Sequence, residues 1–425
     1  MKKQFLLLLC LVLLVPVTSP GWGFFAHRTI AQISVYALPA SMQAFYFRHM
    51  KEIVRLSTSP DERRDSDPTE ASKHFIDLDH FGDNPFGAMP KAWEKAEAKY
   101  TADTLRKYGT VPWTIIDVKD QLTTAFKQRD TVAIVRLSAE LCHYVADAYV
   151  PLHTTENYDG QLTNQAGMHS LWESKLPERH IAEYKLDSES AKYVKEPLND
   201  VWKVLQESYG FLGETFDREE KVTRQFTPET KYSFSHKFGK TRRFYSDAFA
   251  DAYHKEVGGM VAFRLKLAPT FISSLWLTAW KDGGSPNLNE LMGRKPDKAD
   301  KDSLDAQLKI WKDNGLVPQQ MLLAMQKQAV VVQADQINAA KDMAPPMLET
   351  TSPPVAPAPA AAPKAATAAT PTPAPAPAGK GPEKVKTKTK SADGGSTKTK
   401  EKEPNRKKKA AQKDDGWGAP AGSGW

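Results

Sequence analysis

The chain has 425 residues, enough for one large domain or two ordinary ones, and a formal net charge of +7. The charge is local: between Lys380 and Lys413 stand 12 Lys and 1 Arg, against six acids between Glu383 and Asp415, so the first 379 residues are close to neutral. The basic pI thus belongs to a tail and excludes reading the folded part as a polyanion groove on charge alone.

In chain order, Lys2 and Lys3 precede "FLLLLCLVLLVPV", an apolar run too short to span a bilayer comfortably. Ser19 and Gly21 supply small residues before Trp22. Residues 1–21 are therefore expected to be a signal peptide, cleaved before Trp22, making the mature protein secreted or periplasmic. Cys10 leaves with it and Cys142 remains alone, so no internal disulfide is expected.

From Trp22 to about Gly284 the signals are helical. "AHRTIAQISVYAL" spaces apolar residues by three and four and stops at Pro39. "DTVAIVRLSAELCHYVADAYVPLH" predicts a long, largely buried helix ended by Pro151. "RRFYSDAFADAYHKEVGGMVAFRLKLAPTFISSLWLTAW" predicts two long helices bent at Gly258–Gly259. Strand-like alternation with hairpin dipeptides is scarce. The expected fold class is all-α: a compact multi-helix domain over residues 22–290. A helical extension follows over residues 300–343, a polar, amphipathic pair of helices from about Ser303 to Asp342. Residues 344–425, a Pro/Ala linker and a Lys-rich tail ending in Trp417 and Trp425, lack core-forming residues and are expected to be disordered.

The chemistry-bearing stretch is "HYVADAYVPLH". His143 and Asp147 stand i, i+4 on one helix face, and His153 follows Pro151. Sixteen residues later His169 and Glu173 repeat the spacing in "GMHSLWES", and upstream lie Asp61 in "PDERR" and His74 in "KHFIDLDHF". One His/acid pair is usually a surface or core contact. Two on consecutive apolar segments, with a further His beyond a helix-ending Pro, point to a metal. With a single Cys left, imidazole and carboxylate are the ligands on offer, a set that suits Zn²⁺.

On these residues and the "GWGFFAH" start, the chain resembles the superfamily uniting bacterial zinc-dependent phospholipase C with the single-strand-specific zinc nucleases. The resemblance runs from Trp22 to about Asn287 and implies a helical domain with three Zn²⁺ ions. It assigns the α-amino nitrogen and carbonyl oxygen of Trp22, with His27 and a shared Asp147, to one ion. Asp61, His74, His143 and Asp147 go to a second, and His153, His169 and Glu173 to a third. It implies hydrolysis of a phosphodiester or monoester by a metal-bound hydroxide, with Asp147 bridging two ions and Asp61 a ligand that also serves as a candidate base. His49, His80, His180, His236 and His254 match no ligand position and are expected to be ordinary.

The substrate signals divide. The Trp22-to-His27 spacing is nuclease-like, whereas Glu173 in place of Asp and the short His153–His169 loop are phospholipase C-like. The expected substrate is a phospholipid, with single-stranded nucleic acid or nucleotide as the alternative and a non-catalytic, zinc-stabilised surface-binding protein as a third reading. Phe24, Phe25, Trp113, Tyr144, Tyr149 and Tyr158 are the aromatic candidates for its recognition, and the tail is a candidate contact for anionic surfaces.

Overall fold

The computed structural model describes residues 23–237 and 240–326. The predicted signal peptide, Trp22, residues 327–343 of the predicted extension and the tail lie outside the described residues. Of the described residues 68% are helical and the single sheet has two strands, so the fold is mostly α.

Four of the described helices contribute much of the core. Phe24–Tyr36 is buried almost all round, its polar His27, Thr29, Gln32 and Ser34 included, which marks a central helix. Val111–Gln128 begins with Pro112 in its first turn and ends at Arg129, whose φ of 58° is left-handed. Asp130 then caps Thr131–Ala148 by accepting from the Ala133 N–H, and fourteen residues of that helix are buried. It stops short of Pro151, whose ring disfavours helical geometry in the residue before it. The 3-10 turn Pro151–Thr154 takes over and turns His153 inward.

The fourth helix corrects a sequence expectation. Asp247–Asp282 is one 36-residue helix, uninterrupted at Gly258–Gly259. Packing overrides propensity here, because Val257, Val261, Leu265 and Ala268 bury one continuous face. Gly258 has a separate reason to be glycine: a Cβ there would meet His254 Nε2 at 2.5 Å.

Two further differences follow. The sequence expectation of few strands missed an antiparallel hairpin, β1 (Tyr232–Lys237) and β2 (Lys240–Tyr245), with Tyr232 opposite Tyr245 and Phe234 opposite Arg243. "RRFY" is thus strand and not helix. The predicted helix pair from Ser303 is, among the described residues, one helix, Lys298–Lys312, opened by an Asp297/Asp300 capping box, and then a 3-10 turn, Leu323–Met325. This segment packs on the core. Gln32 donates to the Met321 carbonyl and accepts from the Leu323 N–H, and Trp311 Nε1 donates to the Leu186 carbonyl.

Candidate metal centre

The structure brings together eight of the nine residues singled out as ligands; the ninth, Trp22, lies outside the described residues. His27 comes from the first helix, and Asp61 from the short helix Ser59–Arg63. His74 follows the 3-10 turn Ala71–Lys73, and His143 and Asp147 lie on the core helix Thr131–Ala148. All five are buried. Asp147 is the hub, with Oδ1 3.3 Å from His27 Nε2, and Oδ2 2.9 Å from His74 Nδ1 and 3.3 Å from His143 Nε2. Asp61 Oδ1 lies 3.7 Å from both His74 Nδ1 and His143 Nε2.

The second cluster adjoins the first. Leu171–Lys175 is a π turn inside the helical stretch 168–180, and it carries Glu173 beside His169. Glu173 Oε2 stands 3.3 Å from His153 Nε2 and 3.1 Å from His169 Nε2. The two clusters are joined directly, because His153 Nδ1 donates to the His74 carbonyl at 2.7 Å.

The backbone bonds decide the ring chemistry. A carbonyl only accepts, so His153 Nδ1 must carry a proton, and so must His143 Nδ1, which lies 2.7 Å from the Ser57 carbonyl. In the neutral imidazoles Nε2 is then a bare lone pair. Each such lone pair faces carboxylate oxygen and a second histidine nitrogen: His74 Nδ1 at 3.0 Å from His143 Nε2, and His169 Nε2 at 2.9 Å from His153 Nε2. Converging lone pairs repel unless a cation or protons lie among them. Two inward carboxylate oxygens, Asp61 Oδ2 and Glu173 Oε1, also lack any hydrogen-bond partner. Buried polar atoms left so are costly. Both observations fit groups built to hold metal ions, and His/Asp/Glu donors suit a borderline divalent cation.

The electrostatics agree. Burial alone would raise the Asp147 carboxyl, yet the histidines around it, His143 foremost, hold it well below the usual carboxylate range. Burial dominates at Glu173, pushing it up to about 8, and at His169, pulling it down to about 4. His169 thus stays neutral and ligand-competent at neutral pH.

Glu70 was missed by the sequence reasoning. Fully buried, it receives the Tyr144 hydroxyl, Lys73 Nζ at 2.9 Å and Arg63 Nε at 3.5 Å, and its Oε1 lies 3.4 Å from His74 Nε2. Its i, i+4 spacing to His74 was the available signal. The other nearby acids stand outside the clusters. Asp65 is exposed, Asp67 caps Thr69, and Asp79 accepts from the Thr155 hydroxyl and the Glu156 N–H. Asp77 is buried, and burial first, then Asp79 and Glu156, push it up to about 8.

A cavity of about 360 Å³ opens on the clusters, between His74, His153 and His169 on one side and Arg64, Phe75, Asp77, Glu156 and Tyr158 on the other. Its size fits one small ligand or head group. A larger cavity of about 820 Å³, around Ser72, Trp93 and Arg106, shares Phe75 as a wall but has no converging ligand atoms, so the smaller one is the functional candidate. Of the six candidate aromatics, Tyr158 lines the site cavity. Trp113, Tyr144 and Tyr149 are core residues, while Phe24 and Phe25 lie on the helix of His27.

A further group of ligand type is His180, Glu183 and His254. Glu183 reaches His180 Nδ1 at 2.7 Å and His254 Nδ1 at 3.8 Å, and the two rings stack 3.6 Å apart with 3° between their planes. This group lies apart from the site cavity, and its two imidazoles are engaged with each other by stacking. His80 is paired with Glu156 and stacked on Tyr108.

No model of a known protein family matches the chain, and no curated protein matches it.

Proposed function

We propose that the protein is a zinc-dependent hydrolase of phosphoesters that takes phospholipid head groups. The observation carrying this reading is the pair of adjoining clusters whose unprotonated imidazole nitrogens and unpaired carboxylate oxygens converge beside a head-group-sized cavity. His27, Asp61, His74, His143 and Asp147 would hold ions in the first cluster, and His153, His169 and Glu173 in the second. Zinc bound in such a setting supplies Lewis acidity towards a phosphoryl oxygen and acidifies bound water.

The chain's own residues do the rest. The Ser57 and His74 carbonyls fix the tautomers of His143 and His153, so each presents Nε2 inward. Arg64, a cavity wall with Nη1 3.5 Å from Asp61 Oδ1, brings a guanidinium within reach of phosphate oxygens. Phe75, Leu152 and Tyr158 give the cavity its apolar lining. Glu156 on the cavity wall and Asp79 behind it, both near enough to push Asp77 up, bring negative charge to this side, which favours a cationic or zwitterionic head group and opposes a polyanion. Gly23, directly after Trp22, donates its N–H to the Glu173 carbonyl at 3.2 Å and packs so closely on Ser174 that a Cβ would lie 2.3 Å from Oγ. The chain thus starts its described course at the site, in keeping with a ligand role for Trp22.

A nuclease is the second reading, and Asp77 favours it. With its pKa near 8 the carboxyl is protonated at neutral pH and offers a donor and an acceptor between Phe75 and Tyr158, a setting that suits a nucleobase. The test offers phosphatidylcholine vesicles and single-stranded RNA in parallel to the zinc-loaded protein, with and without chelator. Chelator-sensitive release of phosphocholine alone supports the first reading, and nucleotide release alone the second. Turnover of neither lipid, RNA nor a small soluble phosphodiester overturns both.

A further inference from the structure

The loop between His153 and His169 carries two walls of the site cavity, Tyr158 and Gln161, and it is closed on itself. The Gly160 N–H donates to the Asn157 carbonyl at 2.9 Å, and the Gln165 N–H donates to the Gly160 carbonyl at 2.8 Å. Asn157 spans the same turn, its Oδ1 accepting from the Leu162 N–H and its Nδ2 donating to Thr163 Oγ1. Gly160 sits at a φ of 73°, where a Cβ would meet the Gln165 carbonyl oxygen at 2.5 Å. Residues 157–165 are thus one compact unit. Buried Gln165 ties that unit to the rest of the fold. Its Nε2 donates to Glu219 Oε2 at 2.6 Å and to the Phe216 carbonyl at 2.9 Å, and its own carbonyl accepts from Tyr245 Oη at 3.0 Å. Glu219 is a fixed post. It is 1% exposed, and its Oε1 accepts from Tyr245 Oη at 2.9 Å, Thr223 Oγ1 at 2.9 Å and Lys231 Nζ at 2.8 Å.

We infer that Gln165, held by Glu219, is a positioning residue that sets Tyr158 and Gln161 against the site cavity, an inference that rests on the hydrolase reading. The fit to the substrate's head group is then set from the helix Leu212–Thr223, outside the metal clusters. The two ends of the loop have supports of their own. Asp79 holds its entry, accepting from Thr155 Oγ1 and the Glu156 N–H, and Asp159 Oδ1 accepts from the His169 N–H where the loop leaves. The ligands are held independently as well. His153 is tied to the His74 carbonyl, and the helical stretch with His169 and Glu173 is latched to the long helix by Lys175–Asp247 at 2.7 Å and Arg179–Asp251 at 2.9 Å. Gln165 secures the far side of the loop. Without its grip the unit carrying Tyr158 and Gln161 can swing while the ligands stay in place. A loosened wall costs substrate affinity and leaves the chemical step intact.

The experiment compares the zinc-loaded full chain with Gln165→Met, which keeps the side chain's length and removes its donors. A hydrogen bond to a charged group is worth about ten-fold in an equilibrium. KM for p-nitrophenyl phosphocholine, a small soluble diester, should therefore rise roughly ten-fold, while kcat stays within about two-fold and zinc content is unchanged. Phosphocholine binding, followed by calorimetry, should weaken by the same factor. Amide exchange over residues 156–168 should quicken about ten-fold, with residues 24–36 and 131–148 as protected as in the parent. Tyr245→Phe removes only the hydroxyl on the Gln165 carbonyl and on Glu219, so its rise in KM should be smaller. The double variant should fall short of the product of the two, because both act through one residue. Loss of kcat and zinc in step with KM would mark a merely structural role and overturn the inference. Unchanged KM with unchanged exchange would do the same. A parent that turns over no phosphodiester would sink the hydrolase reading alone; faster exchange confined to residues 156–168 would then still support the positioning role, and unchanged exchange there would refute it.

Discussion

At the scale of single residues, Glu70 and Asp77 separate what spacing reveals from what it hides. His143, Asp147, His169 and Glu173 were legible because helical spacing and ligand chemistry are written in side chains, whereas Asp61 and His74 were singled out only by the family resemblance. The carbonyls of Ser57 and His74, which fix the imidazole tautomers, are backbone atoms and leave no trace in composition. Glu70 stands between these cases. Glu70→Gln keeps its shape but loses the charge facing His74 Nε2, Lys73 and Arg63, and should weaken zinc binding about 10–100-fold by competition with a chelator while the fold persists. Asp77 gives a pH signature. Burial and its acidic neighbours raise its folded pKa to about 8, whereas in the unfolded chain it ionises near 4. Between those values the unfolded state binds fewer protons, so stability falls as pH rises and levels off above 8. Asp77→Asn should therefore be neutral near pH 4 and stabilising, on the order of 2 kcal/mol, at pH 8.5 by denaturant unfolding. An effect equal at both pH values would contradict the assignment.

At the scale of elements, the core helices were legible from apolar spacing, and the bend and the hairpin were misjudged for physical reasons. Gly258–Gly259 has the propensity of a break, but the helix runs unbroken through it, held by the burial on either side. The pair should also behave asymmetrically. A Cβ at Gly259 meets nothing within 4 Å, so Gly259→Ala should stabilise by about 0.5–1 kcal/mol. At Gly258 it meets His254 Nε2, so Gly258→Ala must displace that ring from its stack on His180 and should lower the thermal midpoint. The hairpin alternates Ser with aromatic and cationic residues, a weak strand signal, and its stability comes from Glu219 and Gln165, far away in the chain.

At the scale of the whole molecule, the all-α class was legible because one periodicity dominates the described residues. That Met321 and Leu323 of the extension clamp the first helix was not, since Gln32 reads in isolation as a polar residue on a central helix. That helix also carries His27, so metal binding and global stability should move together. A group that binds the folded chain and not the unfolded one raises stability by mass action. Chelator should accordingly lower the thermal midpoint, and added zinc should restore it.

The most direct test is elemental analysis of the purified mature chain beside Asp147→Asn. Asp147 contacts His27, His74 and His143, so its neutral substitute should disturb every ion in the first cluster and leave His153, His169 and Glu173 intact. The expected result is about three zinc ions per chain in the parent and about one in the variant, with hydrolysis lost in parallel. Less than one zinc per chain in an active parent, or a content indifferent to Asp147, would contradict a metal centre at this site.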